Sequence, residues 1–170
     1  MNKSNFWVAY VLLLLAQLLI SNFLHITPFI MLSILPVMVL CIPTRIKTPG
    51  AMLIAFASGL LIDWLSEGVL GLNALALVPV AFSRNAVIRL IFGQDLFVRG
   101  EEFSVRSNGF VRVALALFLA QSIFLLIYIW ADGAGMRPLW FNAARFGASL
   151  GAGFLVSLLT LNVLASENRK

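Results

Sequence analysis

The chain has 170 residues and a formal net charge of +5, with 61% hydrophobic and only 11% charged residues. A soluble globular domain is nearer 45–50% apolar, with about a quarter of its residues charged. The composition therefore excludes an ordinary soluble domain and leaves room for one all-α integral-membrane domain covering residues 1–170. With so few charges, +5 is weak support for nucleic-acid binding, and we expect no nucleic-acid partner.

Long uncharged apolar runs recur along the whole chain and predict six transmembrane helices in one compact bundle. We expect these spans at about 6–24, 29–42, 50–65, 71–92, 110–131 and 140–165. The first run is too long for the apolar core of a signal peptide, so we expect a retained first span. The second run is short, and Pro36 in its middle should kink it or unwind a turn.

The basic residues are divided unequally between the two sides of this six-span layout. Of the 12 Lys and Arg residues, all except Arg137 and Arg145 fall at or near the side that carries both termini. By the positive-inside rule, both termini should be cytoplasmic. The mixed charged and apolar segment at 93–107 should lie on the membrane surface. Arg84 and Arg89, in the fourth span, can extend to lipid headgroups or contact protein.

The acidic residue of the third span is the most informative single position. Asp63 follows Gly59 by four residues, on the same helix face, and the next span begins near Gly71 and Asn73. A carboxylate in an apolar helix is expensive in lipid, so we expect a buried polar anchor with Arg145 as its counter-charge. The alternative is an interfacial carboxylate in water. Catalysis is a weaker hypothesis because no second carboxylate or histidine lies nearby at a fixed spacing.

The sixth span contains a G-x-S-x-G sequence around Ser149, the pattern of many serine hydrolases. That motif requires a strand-to-helix elbow, whereas here it lies inside an apolar helix, so we discount it. Gly147 and Gly151 instead belong to small-residue stripes that predict close helix packing, together with Ala144, Ala148 and Ala152. We expect Gly59→Leu or Gly151→Leu to disturb packing more than Leu13→Ala.

Isolated polar residues occur in several spans, at Gln17, Asn22, Gln121 and Asn162. Interhelical hydrogen bonding is their expected role. A single histidine, His25, and a single cysteine, Cys41, exclude an ordinary His/Cys metal site and an intrachain disulfide. No Gly-rich phosphate loop is present, and we expect neither a cofactor nor a metal.

The junction between the third and fourth spans resembles the rod-shape-determining protein MreD family. The resemblance rests on Gly59-Leu-Leu-Ile-Asp63, close to a G-L-x-x-D pattern, followed by Leu70-Gly-Leu-Asn-Ala-Leu75, close to L-G-x-N-A-L. The size of the chain, the six-span layout, the cytoplasmic termini and the early Pro28 are also similar to that family. The segment at 93–107 and the short second span are less typical of it.

The resemblance implies a non-enzymatic subunit of the bacterial cell-wall elongation machinery in the inner membrane. Such a subunit works with MreC, the actin-like MreB filament, and the elongation glycosyltransferase and transpeptidase. The resemblance also implies a fold similar to the substrate-binding subunits of energy-coupling-factor vitamin transporters. The candidate structural or partner-contact residues are Gly59, Asp63, Gly71, Asn73, Arg145, Gly147 and Gly151.

Two other functions remain open from the residues themselves. A small-solute-binding subunit of a transporter would have an outward pocket, lined by Asp63, Asn73, Asp132, Arg137 and Trp140. A small integral-membrane enzyme ranks last, because the sequence lacks paired carboxylates, metal ligands and a usable nucleophile.

Overall fold

The computed structural model describes residues 3–23, 30–43, 45–66, 69–93, 109–133 and 136–167, with the side chains of 7–23 and 139–161 described in the first and last helices. These residues form six helices: α1 Lys3–Phe23, α2 Leu35–Cys41, α3 Thr48–Ser66, α4 Leu72–Phe92, α5 Phe110–Gly133 and α6 Leu139–Glu167. The predicted all-α class is confirmed over the described part of the chain.

Four of the helices are long and apolar enough to cross a membrane: α3, α4, α5 and the Leu139–Leu161 part of α6. Their outward-facing residues are also apolar and include Leu53, Phe82, Leu126 and Leu155. Exposing such a surface to water is unfavourable, whereas contact with lipid tails carries no free-energy penalty. The described part of α1, Trp7–Phe23, is apolar but shorter. The chain therefore has the transmembrane character that its composition predicts.

The second predicted span is the one whose structure differs from a continuous helix. Only Leu35–Cys41 is helical, and residues 31–34 before it are not. Pro36 lies in the first turn of α2, where the missing proline N–H has no intrahelical partner to lose. The sequence predicted a kink or an unwound turn at Pro36. The structure instead has non-helical residues at 31–34 and a helix that begins at Leu35, with Pro36 in its first turn.

The short helix α2 lies at the centre of the bundle. Its residues from Leu35 to Leu40 are all buried, and it contacts α1, α3, α4 and α5. The last helix, α6, packs chiefly on α5. Because α2 is enclosed in this way, the non-helical residues 31–34 also enter the bundle, and the polar groups of their backbone need partners inside it.

Gln17 of α1 supplies two of these partners. Its side-chain oxygen accepts a hydrogen bond from the Ile34 N–H at 2.7 Å, and its amide nitrogen donates to the Leu32 carbonyl at 3.4 Å. The same nitrogen also donates to Ser21 Oγ at 2.9 Å. Gln17 thus replaces hydrogen bonds that a continuous helix would have supplied.

Two further helices also bind this segment. The Gln121 amide of α5 donates to the Ser33 carbonyl at 3.3 Å, and Ser149 Oγ of α6 accepts from the Met31 N–H at 2.9 Å. Gln17 and Gln121 thus form hydrogen bonds between segments of the chain, as predicted, but their partners are the non-helical residues 32–34 and not a neighbouring helix. Asn22 behaves differently, because it is exposed and donates to the Leu18 carbonyl of its own helix.

Arg84 of α4 is buried rather than extended to lipid headgroups. Its Nη2 donates to the carbonyl of Ile42, the residue that ends α2. A cation is favourable there because the terminal carbonyl groups of a helix carry partial negative charge. No carboxylate pairs with Arg84 among the described residues. Asn85 binds α3 next to it, donating to Thr48 Oγ1 at 2.9 Å.

Three expectations concern parts of the chain outside the described residues. They are the early Pro28 of the resemblance, the surface segment after Gly93, and the interhelical hydrogen bond of Asn162. These remain predictions.

Replacing Gln17 by leucine should lower the stability of the folded bundle by about 1–2 kcal/mol. The substitution leaves the buried Ile34 N–H and Leu32 carbonyl without partners, while the apolar volume is nearly kept. The measurement is unfolding of the purified protein in detergent, by heat or by added denaturing detergent.

Asn22→Leu is the matched control, since it makes the same change on the same helix at an exposed residue that binds only its own helix. Its stability should stay within about 0.5 kcal/mol of the parent protein. Equal losses from the two substitutions would contradict a special role for Gln17.

Candidate functional site

The centre of the site is Asp63, near the end of α3. The side chain is completely buried, and its two oxygens accept four hydrogen bonds from the beginning of α4. Oδ2 accepts from the N–H groups of Gly71 at 2.9 Å and Ala74 at 3.3 Å. Oδ1 accepts from the Asn73 N–H at 3.0 Å and from its side-chain amide at 2.9 Å.

Asp63 therefore caps a helix other than its own. The first N–H groups of a helix have no intrahelical acceptor and carry partial positive charge, so an anion is favourable there. A serine or aspartate at the N-cap position usually supplies this acceptor. Here the N-cap residue is Gly71, which has no side chain and adopts a left-handed φ of 97°. The carboxylate of α3 takes over the missing role.

Gly59, one turn before Asp63, brings the two helices together. A Cβ atom at this position would lie 2.5 Å from Ala74 Cα and 2.6 Å from the Ala74 nitrogen. Real side chains do not come that close to backbone, so only glycine permits this approach. Without it, α3 could not bring Asp63 within hydrogen-bonding distance of the start of α4. Gly59, Asp63, Gly71, Asn73 and Ala74 form one packed unit, which we call the Asp63 corner.

The Asp63 corner has little polar capacity left for a ligand. Asp63 and Asn73 are both buried, and they bond to each other. The one remaining group is the side-chain oxygen of Asn73, which is buried and has no hydrogen-bond donor. The solute-binding hypothesis required both side chains to line an outward pocket, whereas their polar atoms face the inside of a helix junction.

Arg145 is not the counter-charge of Asp63. It donates to Asp132 Oδ2 at 2.5 Å, and Arg137 donates to the same oxygen at 2.7 Å. This correction has a simple cause: Asp63 obtains its neutralising partners from the N–H groups of α4. Asp132 and Arg145 face each other across the α5–α6 turn. Sequence reasoning treated Asp132 only as a possible pocket residue and missed this pairing.

The small residues of α6 do not all pack against the bundle. Gly147 and Gly151 are exposed, and a Cβ atom at either position would meet nothing within 4 Å. The expectation that Gly151 supports packing inside this chain is therefore wrong. The close approach occurs at Gly153, where a Cβ atom would lie 2.5 Å from Gln121 Nε2. The spacing identified small residues correctly but could not say which face of α6 points inward.

Ser149 has a structural role in the described residues. Ser149 belongs to α6, its side chain is buried in the bundle, and its Oγ accepts a hydrogen bond from the Met31 N–H. This position gives no elbow of the kind that a serine hydrolase needs. No group of three or more potential metal ligands occurs within the described ranges.

Together, the fold and the corner define an all-helical protein of membrane character in which a buried carboxylate joins two neighbouring helices. No family model matches the sequence, and no characterised protein or solved structure matches it either.

Asp63→Asn should destabilise the protein by about 3 kcal/mol, although the two side chains have nearly the same shape. The substitution removes the charge and turns one acceptor into an NH₂ group that faces other donors. Unfolding in detergent measures the loss. Asp132→Asn is the comparison: Asp132 is 22% exposed and its partner Arg137 is 40% exposed, so the loss of stability should be smaller than at Asp63. A smaller loss at Asp63 than at Asp132 would contradict the capping role.

Gly59→Ala and Gly151→Ala should have opposite effects on stability. At Gly59, the added methyl group overlaps the Ala74 backbone and should cost at least about 1–3 kcal/mol. At Gly151, it enters open space and should be neutral or favourable by up to about 1 kcal/mol, since alanine favours helix. Melting curves of the two variants, recorded in the same detergent, test this. Equal destabilisation would mean that the α3–α4 approach is not limiting.

Proposed function

We propose that this chain is a non-enzymatic subunit of the bacterial cell-wall elongation machinery, similar to the MreD family. In this role it binds MreC and links MreB filaments to the glycosyltransferase and transpeptidase that build the lateral wall. The observation that carries the proposal is that five of the eight resemblance residues are joined at one helix junction. Asp63 accepts hydrogen bonds from Gly71, Asn73 and Ala74, and Gly59 lies against Ala74, so this part of the pattern has a structural reason to occur as a set.

A structural use of the acidic residue favours a scaffold over an enzyme or a carrier. Asp63 is committed to four hydrogen bonds within the bundle. A catalytic carboxylate or a ligand-binding carboxylate has to reach a substrate. The outer surface of the helices is then the part of the chain that is available for binding, and it suits association with other membrane proteins.

The proposal includes six membrane crossings in the bacterial inner membrane, with both termini in the cytoplasm. The second crossing consists of four non-helical residues and the seven residues of α2. At about 3.3 Å for each extended residue and about 1.5 Å for each helical residue, this segment reaches at most about 24 Å. That is most of a hydrocarbon core of about 30 Å.

The exposed face of α6 is the proposed contact with MreC. Ala144, Gly147, Ala148 and Gly151 lie on this face. Small residues at this spacing allow a partner helix to approach closely, and van der Waals contact then holds the pair in lipid. The same residues are unused within the chain, since Gly147 and Gly151 have open space in front of them.

Gly147→Leu should abolish co-purification of MreC with the tagged chain while leaving the fold intact, because the new side chain fills the space needed by the partner helix. The measurement is the amount of MreC recovered per amount of this chain from detergent-solubilised membranes. Ala57→Leu provides the control, since it makes a similar change at an exposed small residue of α3.

Melting curves of both variants should match that of the parent chain. MreC recovery that is unchanged by Gly147→Leu, or reduced equally by Ala57→Leu, would rule out this face of α6 as the contact. Absence of MreC from every preparation, including the parent chain, would count against the proposed function itself.

A further inference from the structure

The turn between α5 and α6 holds two cations against one anion. Arg137 and Arg145 both donate to the same oxygen of Asp132, at 2.7 Å and 2.5 Å. Asp63 is the other acidic side chain among the described residues with a defined environment, and its oxygens are occupied at the Asp63 corner. The cluster therefore carries one positive charge that no described carboxylate balances.

The unbalanced charge belongs mainly to Arg137. The Arg145 side chain is only 13% exposed and lies nearest to Asp132, so it can neutralise that carboxylate alone. The Arg137 side chain is 40% exposed. Its guanidinium also lies 5.9 Å from the centre of the Phe141 ring, which helps to hold it in place. An arginine has five N–H donors, and one hydrogen bond to Asp132 leaves most of them free for an acceptor from outside.

The chain on both sides of Arg137 is apolar and exposed. Met136 and Leu139 flank it in sequence, and Trp130 and Trp140 lie on the adjoining ends of α5 and α6. All four side chains are at least 70% exposed. Tryptophan at the end of a membrane helix is typical of the headgroup region, where its ring contacts acyl chains and its N–H contacts water. A dissolved anion would use the charge alone, whereas a lipid would use both the charge and the apolar surface.

We propose that Arg137, just before α6, binds the phosphate group of an anionic phospholipid, and that its charge is available because Arg145 neutralises Asp132. The acyl chains lie against the exposed Trp130, Leu139 and Trp140. This site is separate from the Asp63 corner and does not depend on the proposed role in cell-wall elongation.

Native mass spectrometry of the full chain, titrated with phosphatidylglycerol or phosphatidylcholine in detergent, tests the proposal. The parent chain should retain phosphatidylglycerol in preference to phosphatidylcholine. Arg137→Gln should reduce this preference about fivefold, the effect of one cation near a charged lipid surface. Arg112→Gln, at an exposed arginine of α5 outside the cluster, is the control and should leave the preference unchanged.

Asp132→Asn gives a test of opposite sign. Removing the competing carboxylate frees both arginines, so phosphatidylglycerol should bind more tightly, provided that the melting curve shows a folded protein. If Asp132 only stabilises the turn, Asp132→Asn should leave phosphatidylglycerol binding unchanged or weaker. That result would overturn the proposal.

Inorganic phosphate in excess separates a lipid headgroup from a free anion. If the site takes a lipid, phosphate should not displace bound phosphatidylglycerol. If phosphate alone displaces phosphatidylglycerol, the ligand of this site is a soluble anion and not a lipid. No preference between the two lipids, or equal losses from Arg137→Gln and Arg112→Gln, would also overturn the proposal, since binding would then be general adhesion to detergent-exposed cations.

Discussion

The bundle depends on a carboxylate of one helix that accepts the free N–H groups of the next. Burying a charge in an apolar bundle normally costs more than one hydrogen bond returns. Asp63 offsets this cost with four donors, three of them backbone groups that need an acceptor in any case. The same contact fixes where α4 begins and how closely it lies to α3. Gly59 and Gly71 are required for it, one by close approach and the other by its positive φ.

The second buried charge follows the same rule with the opposite sign. Arg84 lies at the C-terminal end of α2, as Asp63 lies at the N-terminal end of α4. Each charge is matched to the partial charge of a helix end rather than to an ionised side chain. Asp63 contacts the start of α4 near residue 72, and Arg84 lies about 12 residues further along this helix. That separation corresponds to about 18 Å, so the two side chains do not pair with each other. Together they fix α4 against α3 near one end and against α2 towards the other.

Much of the helical layout was predictable, because long apolar runs and the breakers between them are local features of the sequence. Four of the predicted spans agree with α3 to α6 within about two residues at each end. The Asp63–Asn73 region could be identified from spacing, since a carboxylate in an apolar helix demands a partner. The identity of that partner could not be predicted. Charge complementarity suggested Arg145. The start of the next helix near Gly71 was predicted, but its contact with Asp63 depends on how closely α3 and α4 pack, which the sequence does not show.

The errors on α6 have a related origin. Small residues occur on more than one side of this helix, and composition alone does not tell an inward glycine from an outward one. Gly153 packs against Gln121, whereas Gly147 and Gly151 face outward. Gln121 also donates to the Ser33 carbonyl, so the inward face of α6 packs against a side chain that binds the non-helical residues 31–34.

Several polar side chains inside this bundle bind backbone groups that lack a partner within a helix. Gln17, Gln121 and Ser149 bind residues 31–34, Asp63 binds the start of α4, and Arg84 binds the end of α2. In lipid every broken or terminal backbone hydrogen bond needs such a substitute, because no water is present to provide one. Replacing these interior residues would leave the backbone groups that they bind without partners. What can vary without loss of the fold is the lipid-facing surface, and a function based on association would act there.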